Sequence, residues 1–340
     1  MNGYGLERLT LSGSFPALRI TPKACRMISG DEKEYESPKP GDYLIVGSVS
    51  GGKDSTAMAL WLKEQGHDCR WVFADTGWED RQTYDYLREV LPKAIGPIDW
   101  VRHERTFTDE REQIALDLER RLGRYSSMVR LLLYQRMFPG KFHRFCTTHL
   151  KVKPIAEYIA GLNDEVINAV GIRAQESARR AEMPAMEYSD AMKCDTWRPI
   201  LDWSVQDVID IHHRHGIKPN PLYLQGASRV GCWPCIYARK AEIRHWSKDE
   251  ERVAIIRDLE RIMTESAAER AAAKGKELKK PLTWFCSRNK GSIVWPIDQA
   301  IEWANTAYGG RQFEMFAGWG EEAGCVRWGL CDAGDLGGEE

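Results

Sequence analysis

The sequence predicts an α/β protein built on a doubly wound parallel sheet, with a helical C-terminal region that carries a cysteine metal site. Two observations lead there. From Gly41 onward, apolar runs of strand length alternate with amphipathic runs of helix length, the pattern of βαβ units around a parallel sheet. The first unit is joined by Ser50-Gly51-Gly52-Lys53-Asp54-Ser55, a glycine turn at the point where helix-start amides and a lysine face an anion.

Residues 1–40 mix short polar and apolar patches with clusters such as Gly30-Asp31-Glu32-Lys33-Glu34, and read as an irregular leader. Tyr43 to Val49 is an apolar strand, and a helix starts at about Lys53 and runs on through the amphipathic stretch Thr56 to Glu64. Arg70 to Ala74 forms a second strand ending in Asp75-Thr76-Gly77, followed by a helix from Glu79 to Leu91 and a strand from Ile98 to Arg102. A long helical region covers Asp109 to Met137 and is closed by Pro139-Gly140. Lys153 to Ala160 is a further helix, and Val166 to Val170 a short buried strand ending in Gly171-Ile172-Arg173. Ser204, with Asp207 three positions on, caps a helix that Gly216 stops after His215. Residues 219–235 read as loop, 236–280 as charged helix, and the last stretch as short segments rich in Trp and Gly. The boundaries that follow are a leader over 1–40, a phosphate-loop domain over 41–240 and a mainly helical region over 241–340.

A chain of 340 residues with net charge −2 is not globally basic, although local patches remain open. No stretch approaches the length of an apolar membrane span, so a cytoplasmic protein without membrane contact is expected. Its nine cysteines are then thiols or metal ligands. One local patch stands out: between Arg120 and Lys153 there are nine Lys or Arg and no acid. Arg120, Arg121, Arg124, Arg130, Arg136, Lys141, Arg144, Lys151 and Lys153 flank Tyr125, Tyr134, Phe138, Phe142 and Phe145. Such a field can track a phosphate backbone with aromatics for stacking; helical surface charge over an apolar core is the plainer alternative.

Gly47, Gly52 and Lys53 satisfy most of the Walker pattern, but Asp54 stands where that loop needs a hydroxyl for magnesium. The candidate nucleotide ligands are therefore Ser50, Gly51, Gly52, Lys53, Asp54 and Ser55, with Lys53, Asp54 and Ser55 also candidates for catalysis. In open parallel sheets ligands sit beyond the carboxyl ends of the strands, which adds Asp75 and Thr76 for ribose, adenine or magnesium. Gly171, Arg173, Glu176 and Arg179 join the same rim, because guanidinium forks suit phosphate.

The Ser-Gly-Gly-x-Asp-Ser loop resembles the PP-loop of ATP pyrophosphatases. Further matches are Asp75-Thr76-Gly77, Cys146-x-x-x-Leu150-Lys151-x-x-Pro154, Gly171-x-Arg173-x-x-Glu176-Ser177 and Pro199-Ile200-x-x-Trp203. With Asn220-Pro221-Leu222-Tyr223 and Gly231-Cys232-x-x-Cys235, the chain resembles the phosphoadenosine phosphosulfate (PAPS) reductase family over roughly residues 41–245. The resemblance implies an adenine nucleotide α-hydrolase-like fold. Sulfonucleotide reductases of that family carry a degenerate loop and a C-terminal Glu-Cys-Gly-x-His segment, whereas here the loop is complete and the tail reads Cys325-Val-Arg-Trp-Gly-Leu-Cys331. The closer likeness is to ATP-cleaving relatives that activate DNA or tRNA for sulfur insertion, using ATP, Mg²⁺ and a sulfur donor such as a cysteine desulfurase. A sulfonucleotide reductase and a non-catalytic nucleotide-sensing subunit of a modification or defence complex are the alternatives.

Cys232-Trp-Pro-Cys235 has a spacing that suits zinc or an iron–sulfur cluster. In adenylyl-sulfate reductases a Cys-Cys pair joins such a motif to hold a [4Fe-4S] cluster; here the matching place holds Phe145-Cys146. Cys325 or Cys331 would supply the missing ligand, or it is absent and an iron is left open for a sulfide or substrate sulfur. Alternatively Cys232, Cys235, Cys325 and Cys331 bind zinc and Cys146 is a free nucleophile.

Overall fold

The most apolar run of the N-terminal half becomes the middle of the sheet. In the computed structural model, which describes residues 37–140, 143–162, 164–286 and 294–306, β1 (Leu44–Ser48) lies between β2 (Cys69–Ala74) and β4 (Val166–Val170), parallel to both. Outside β2 runs β3 (Ile98–Val101), and outside β4 runs β6 (Cys194–Trp197), again parallel. The far edge is β5 (Met186–Ser189), antiparallel to β6, so the strand order is β3-β2-β1-β4-β6-β5. The chain winds outward from β1 to β3 and then returns past β1 to β4. That reversal sets the carboxyl ends of β1 and β4 side by side, the usual place for a ligand in such sheets.

Strand alternation sorts the two faces. Val46, Val72 and Ala74 pack against Ile155 and Ile159 of α7 (Lys153–Ala160). On the other face Trp71 donates its indole N–H to the carbonyl of Ile95, 2.8 Å away, at the end of α3 (Leu91–Ile95). α1 (Lys53–Glu64) packs on α3 and on α9 (Val205–Arg214). Gly47 belongs to this packing: a Cβ there would lie 2.3 Å from the Trp71 ring, so its glycine makes room for tryptophan rather than for a phosphate.

The stretch read as one helix from Glu79 to Leu91 is α2 (Arg81–Asp85), a π-helical turn over Tyr86–Val90, and then α3. The region read as one long helix from Asp109 to Met137 is two helices, α4 (Arg111–Leu122) and α5 (Ser127–Gln135). Gly123 takes φ +68 and ends α4, and the Ser126 hydroxyl accepts the Val129 N–H to start α5, a C-terminal glycine followed by a serine cap. Between α5 and α7 lie α6 (Phe145–Thr147) and a π-helical turn over Thr148–Val152. The remaining helices are α8 (Ala178–Ala181), α10 (Pro221–Leu224), α11 (Lys240–Trp246), α12 (Glu250–Ala272) and α13 (Ile297–Asn305), with a small hairpin of β7 (Phe285–Cys286) and β8 (Val294–Trp295). Residues from Leu131, Leu222, Trp246, Ile256 and Trp284 share one buried core, so α5 and the C-terminal helices pack together. No described helix is long and apolar enough to cross a membrane.

Candidate nucleotide site and cysteine loop

β1 ends at Ser48, the chain turns through Gly51 at φ +69, and α1 begins at Lys53. The turn is held from within. The Ser50 N–H donates to Ser55 Oγ at 3.1 Å, the two hydroxyls lie 3.2 Å apart, and Ser55 Oγ donates to the Gly52 carbonyl at 3.0 Å. Lys53 Nζ donates to Asp54 Oδ2 at 2.9 Å, and the other Asp54 oxygen accepts from Arg173 Nε. Arg173 is 3% exposed and also reaches the Trp203 carbonyl. Its first partner is therefore Asp54, which ties the end of β4 to the start of α1.

Gly171 shows how close that approach is, since a Cβ there would sit 2.6 Å from Ser55 Cα. Glu176 accepts the Arg173 N–H at 2.9 Å and pairs with Arg180, while Arg179 is exposed on α8. Of the residues expected on this rim, Ser50, Gly51, Gly52, Lys53, Asp54, Ser55, Gly171 and Arg173 converge. Glu176 caps the turn behind them.

Two residues that sequence reasoning left as family markers close the loop from above. Asn220 Nδ2 donates to the Gly51 carbonyl at 3.2 Å and to Thr83 Oγ1 at 3.1 Å. The Tyr223 hydroxyl accepts the Lys53 N–H at 3.1 Å, and its ring lies 5.3 Å from Lys53 Nζ. Burial pushes the Tyr223 phenol up, so it remains a neutral hydroxyl. Asn-Pro-Leu-Tyr was the available signal, because Asn caps and Pro starts α10.

Asp75 lies at the end of β2, where its Oδ1 accepts from the Gly77 N–H at 2.9 Å and from the Tyr84 hydroxyl at 2.7 Å. Thr76 turns inward: it is fully buried and donates to Glu79 at 2.7 Å, which leaves the half-buried Asp75 as the more accessible polar group of the pair. Glu79 and Cys232 form a backbone bridge, and the Trp233 N–H donates to the Trp78 carbonyl at 2.8 Å. The cysteine loop is thus docked on the turn after β2.

Cys146, Cys232 and Cys235 share the electrostatic field of Lys151. Burial pushes the Cys232 and Cys146 thiols up, with Lys151 pulling both down, and Cys232 in turn raises Lys151. Among the described residues no three His, Cys, Asp or Glu side chains converge as metal ligands. Cys325 and Cys331 lie outside the described residues. The described thiols alone do not fit a metal or cluster.

Among the described residues, four of the nine cations of the basic tract have carboxylate partners. Arg121 pairs with Glu251 and Asp258, Arg120 with Asp117, Lys153 with Glu157, and the buried Arg130 with Glu112 and Glu119. Arg124 instead lies 4.1 Å over the Tyr84 ring. Lys141 and Phe142 fall outside the described residues.

The chain belongs to the phosphoadenosine phosphosulfate reductase domain family, which matches residues 44–238. An uncharacterized 37.8 kDa protein of Escherichia phage 186 is 34% identical over 329 residues, 85% of this chain and 97% of that protein. The adenosine 5'-phosphosulfate reductase of Allochromatium vinosum is 36% identical over 196 residues, 57% of this chain and 68% of the reductase. Among solved structures, the phosphoadenylyl-sulfate (PAPS) reductase of Candida auris in its phosphate complex aligns with TM-score 0.40 and 16% identity, covering 56% of this chain and 81% of that one.

Proposed function

We propose that the protein is an ATP pyrophosphatase that adenylylates an acceptor for sulfur insertion, releasing pyrophosphate and then AMP. The observation that carries this reading is the complete loop: Ser50, Ser55, Lys53 and the start of α1 converge on one point, held by Asp54, Arg173, Asn220 and Tyr223. A pyrophosphate leaving group seated there meets one lysine and helix-start amides, which favour the charge that builds on it. An oxygen of the acceptor attacks the α-phosphorus, and the bond from that phosphorus to the bridging oxygen breaks with its electron pair leaving on pyrophosphate. A sulfur nucleophile then displaces AMP from the adenylylated acceptor. Asp75 is the rim carboxylate able to share a magnesium ion with the phosphates; that ion would supply further charge neutralisation.

The test is the product profile from α-labelled ATP with magnesium, with and without DNA or RNA. AMP and pyrophosphate should form in the wild type and fall at least ~100-fold in Lys53→Ala, with an unchanged melting temperature. Full turnover by Lys53→Ala would sink the assignment.

The charge coupling of Lys151 to Cys232, Glu79, Cys235 and Cys146, with adenosine 5'-phosphosulfate reductases among the relatives, favours one second reading. In it a thiol attacks the sulfur of a sulfonucleotide. Sulfite from adenylyl sulfate or PAPS with a thiol reductant, and no AMP from ATP, would establish it in place of the first.

A further inference from the structure

We propose that the acceptor is a single-stranded nucleic acid and that it binds along the β3 edge of the sheet, beside Asp75. This site presupposes the ATP-cleaving reading and locates its second substrate. A cavity of about 660 Å³ opens there, lined by Asp75, Arg88, Trp100, Arg102, Glu157 and Tyr158. It lies at the carboxyl ends of β2 and β3, on the ligand-binding rim of the sheet. Strand spacing sets β3 roughly 10 Å from β1, so the cavity is distinct from the phosphate seat yet within reach of a nucleotide lying on it.

Two arginines, Arg88 and Arg102, line this cavity, and they and two neighbouring arginines rest on aromatic rings. Arg88 lies 5.0 Å over Trp100 and 5.4 Å over Tyr84, Arg124 lies 4.1 Å over Tyr84, Arg102 lies 4.8 Å over Tyr125, and Arg105 lies 3.6 Å over Tyr134. Arg88, Arg105 and Arg124 make no ion pair with a carboxylate among the described residues, whereas Arg120, Arg121 and Arg130 all do. A guanidinium on a ring is oriented while its charge stays available, which suits bidentate contact with phosphate.

The acids of the cavity already have donors. Glu104 holds Arg102 at 2.7 Å, Glu157 holds Lys153 at 3.7 Å, and Asp75 is held by the Gly77 amide and Tyr84. Trp100 stacks on Tyr84 with ring centroids 5.9 Å apart and planes at 20°, and it is half-buried at the mouth. A splayed base can add to that stack whatever its identity, and the flanking phosphates can lie on the arginines. A cavity for one unstacked nucleotide unit selects a single strand over a duplex.

The experiment measures the full chain against a fluorescein-labelled 12-nucleotide single strand, DNA or RNA, by anisotropy, and against α,β-methylene ATP by calorimetry. Arg88 and Arg102 are exposed, so Arg88→Glu with Arg102→Glu should fold. The double variant should lose at least tenfold in oligonucleotide affinity, with a salt slope shallower by about 0.7 per lost phosphate contact, and keep its affinity for the ATP analogue. Arg120→Glu, which removes the same kind of charge from a site outside the cavity, should bind the strand as the wild type does. Unchanged strand binding in the double variant would overturn the site, as would no strand binding by the wild type at low salt. Loss of the ATP analogue instead of the strand would overturn it too, by giving the cavity to the base of ATP. Strand binding that needs Arg88 and Arg102 in a protein that never makes AMP would keep the site and remove the ATP-cleaving reading, so the two failures separate.

Discussion

The phosphate loop and the β3 edge both present positive charge at the same rim, but they hold it differently. In the loop each charged side chain has a charged partner: Lys53 with Asp54, and Asp54 with the buried Arg173. At the edge, Arg88, Arg105 and Arg124 rest on aromatic rings. The first arrangement is a frame assembled before any ligand arrives, and the second leaves charge free for a partner. Counting cations along the sequence cannot separate the two, because the pairing state decides what a cation can bind.

The largest effect that would break this contrast is expected at Asp54. Asp54→Ala strands the Arg173 guanidinium, 3% exposed, without its carboxylate. Removing one partner of a buried pair costs about 3–5 kcal/mol, which urea unfolding should detect; a loss below about 1 kcal/mol would mean that the latch does not hold the loop.

A smaller effect, in pH, comes from beneath the loop. His212 on α9 is fully buried, and burial lowers its pKa to about 4 from the ordinary 6.5. The folded state therefore keeps it neutral while the unfolded chain takes up a proton below about 6.5. Stability is complete above that pH and declines as pH falls toward 4, with about 2 kcal/mol lost between pH 7 and pH 5. His212→Leu should flatten this limb of the urea-midpoint profile, and an unchanged slope would assign the pH dependence to another group.

Smaller again is Tyr223→Phe, which removes the hydroxyl that accepts the Lys53 N–H. A lost neutral hydrogen bond costs about 1 kcal/mol, so KM for ATP should rise about fivefold with kcat nearly constant. A change in kcat alone would move Tyr223 from holding the loop to acting in the transition state.

How much was legible follows the range of the contacts. The loop, the strands β1, β2 and β4 and the capping box of Ser204 with Asp207 are local, and the structure has them near the expected bounds. The hairpin of β5 and β6 was not read from the sequence. Its outer strand is an edge with Tyr188 59% exposed, and its turn places Lys193 at φ +57 without a glycine to mark it. Gly123 was visible, but its left-handed turn between α4 and α5 was hidden by helix-forming residues on both sides. Arg121 meets Glu251 and Asp258, 130 and 137 positions away, and Arg173 meets Asp54, 119 positions away. No local pattern announces such partners, so the basic tract read as a field and Arg173 as a phosphate clamp.

The proposed reaction is the cleavage of ATP between its α and β phosphates at this loop. It is tested most directly by giving the anaerobically purified protein ATP and adenylyl sulfate together, with a thiol reductant and single-stranded nucleic acid, and following pyrophosphate and sulfite in the same reaction. Pyrophosphate released in step with AMP, without sulfite, is the predicted result. Sulfite without pyrophosphate would contradict it and make the protein a sulfonucleotide reductase.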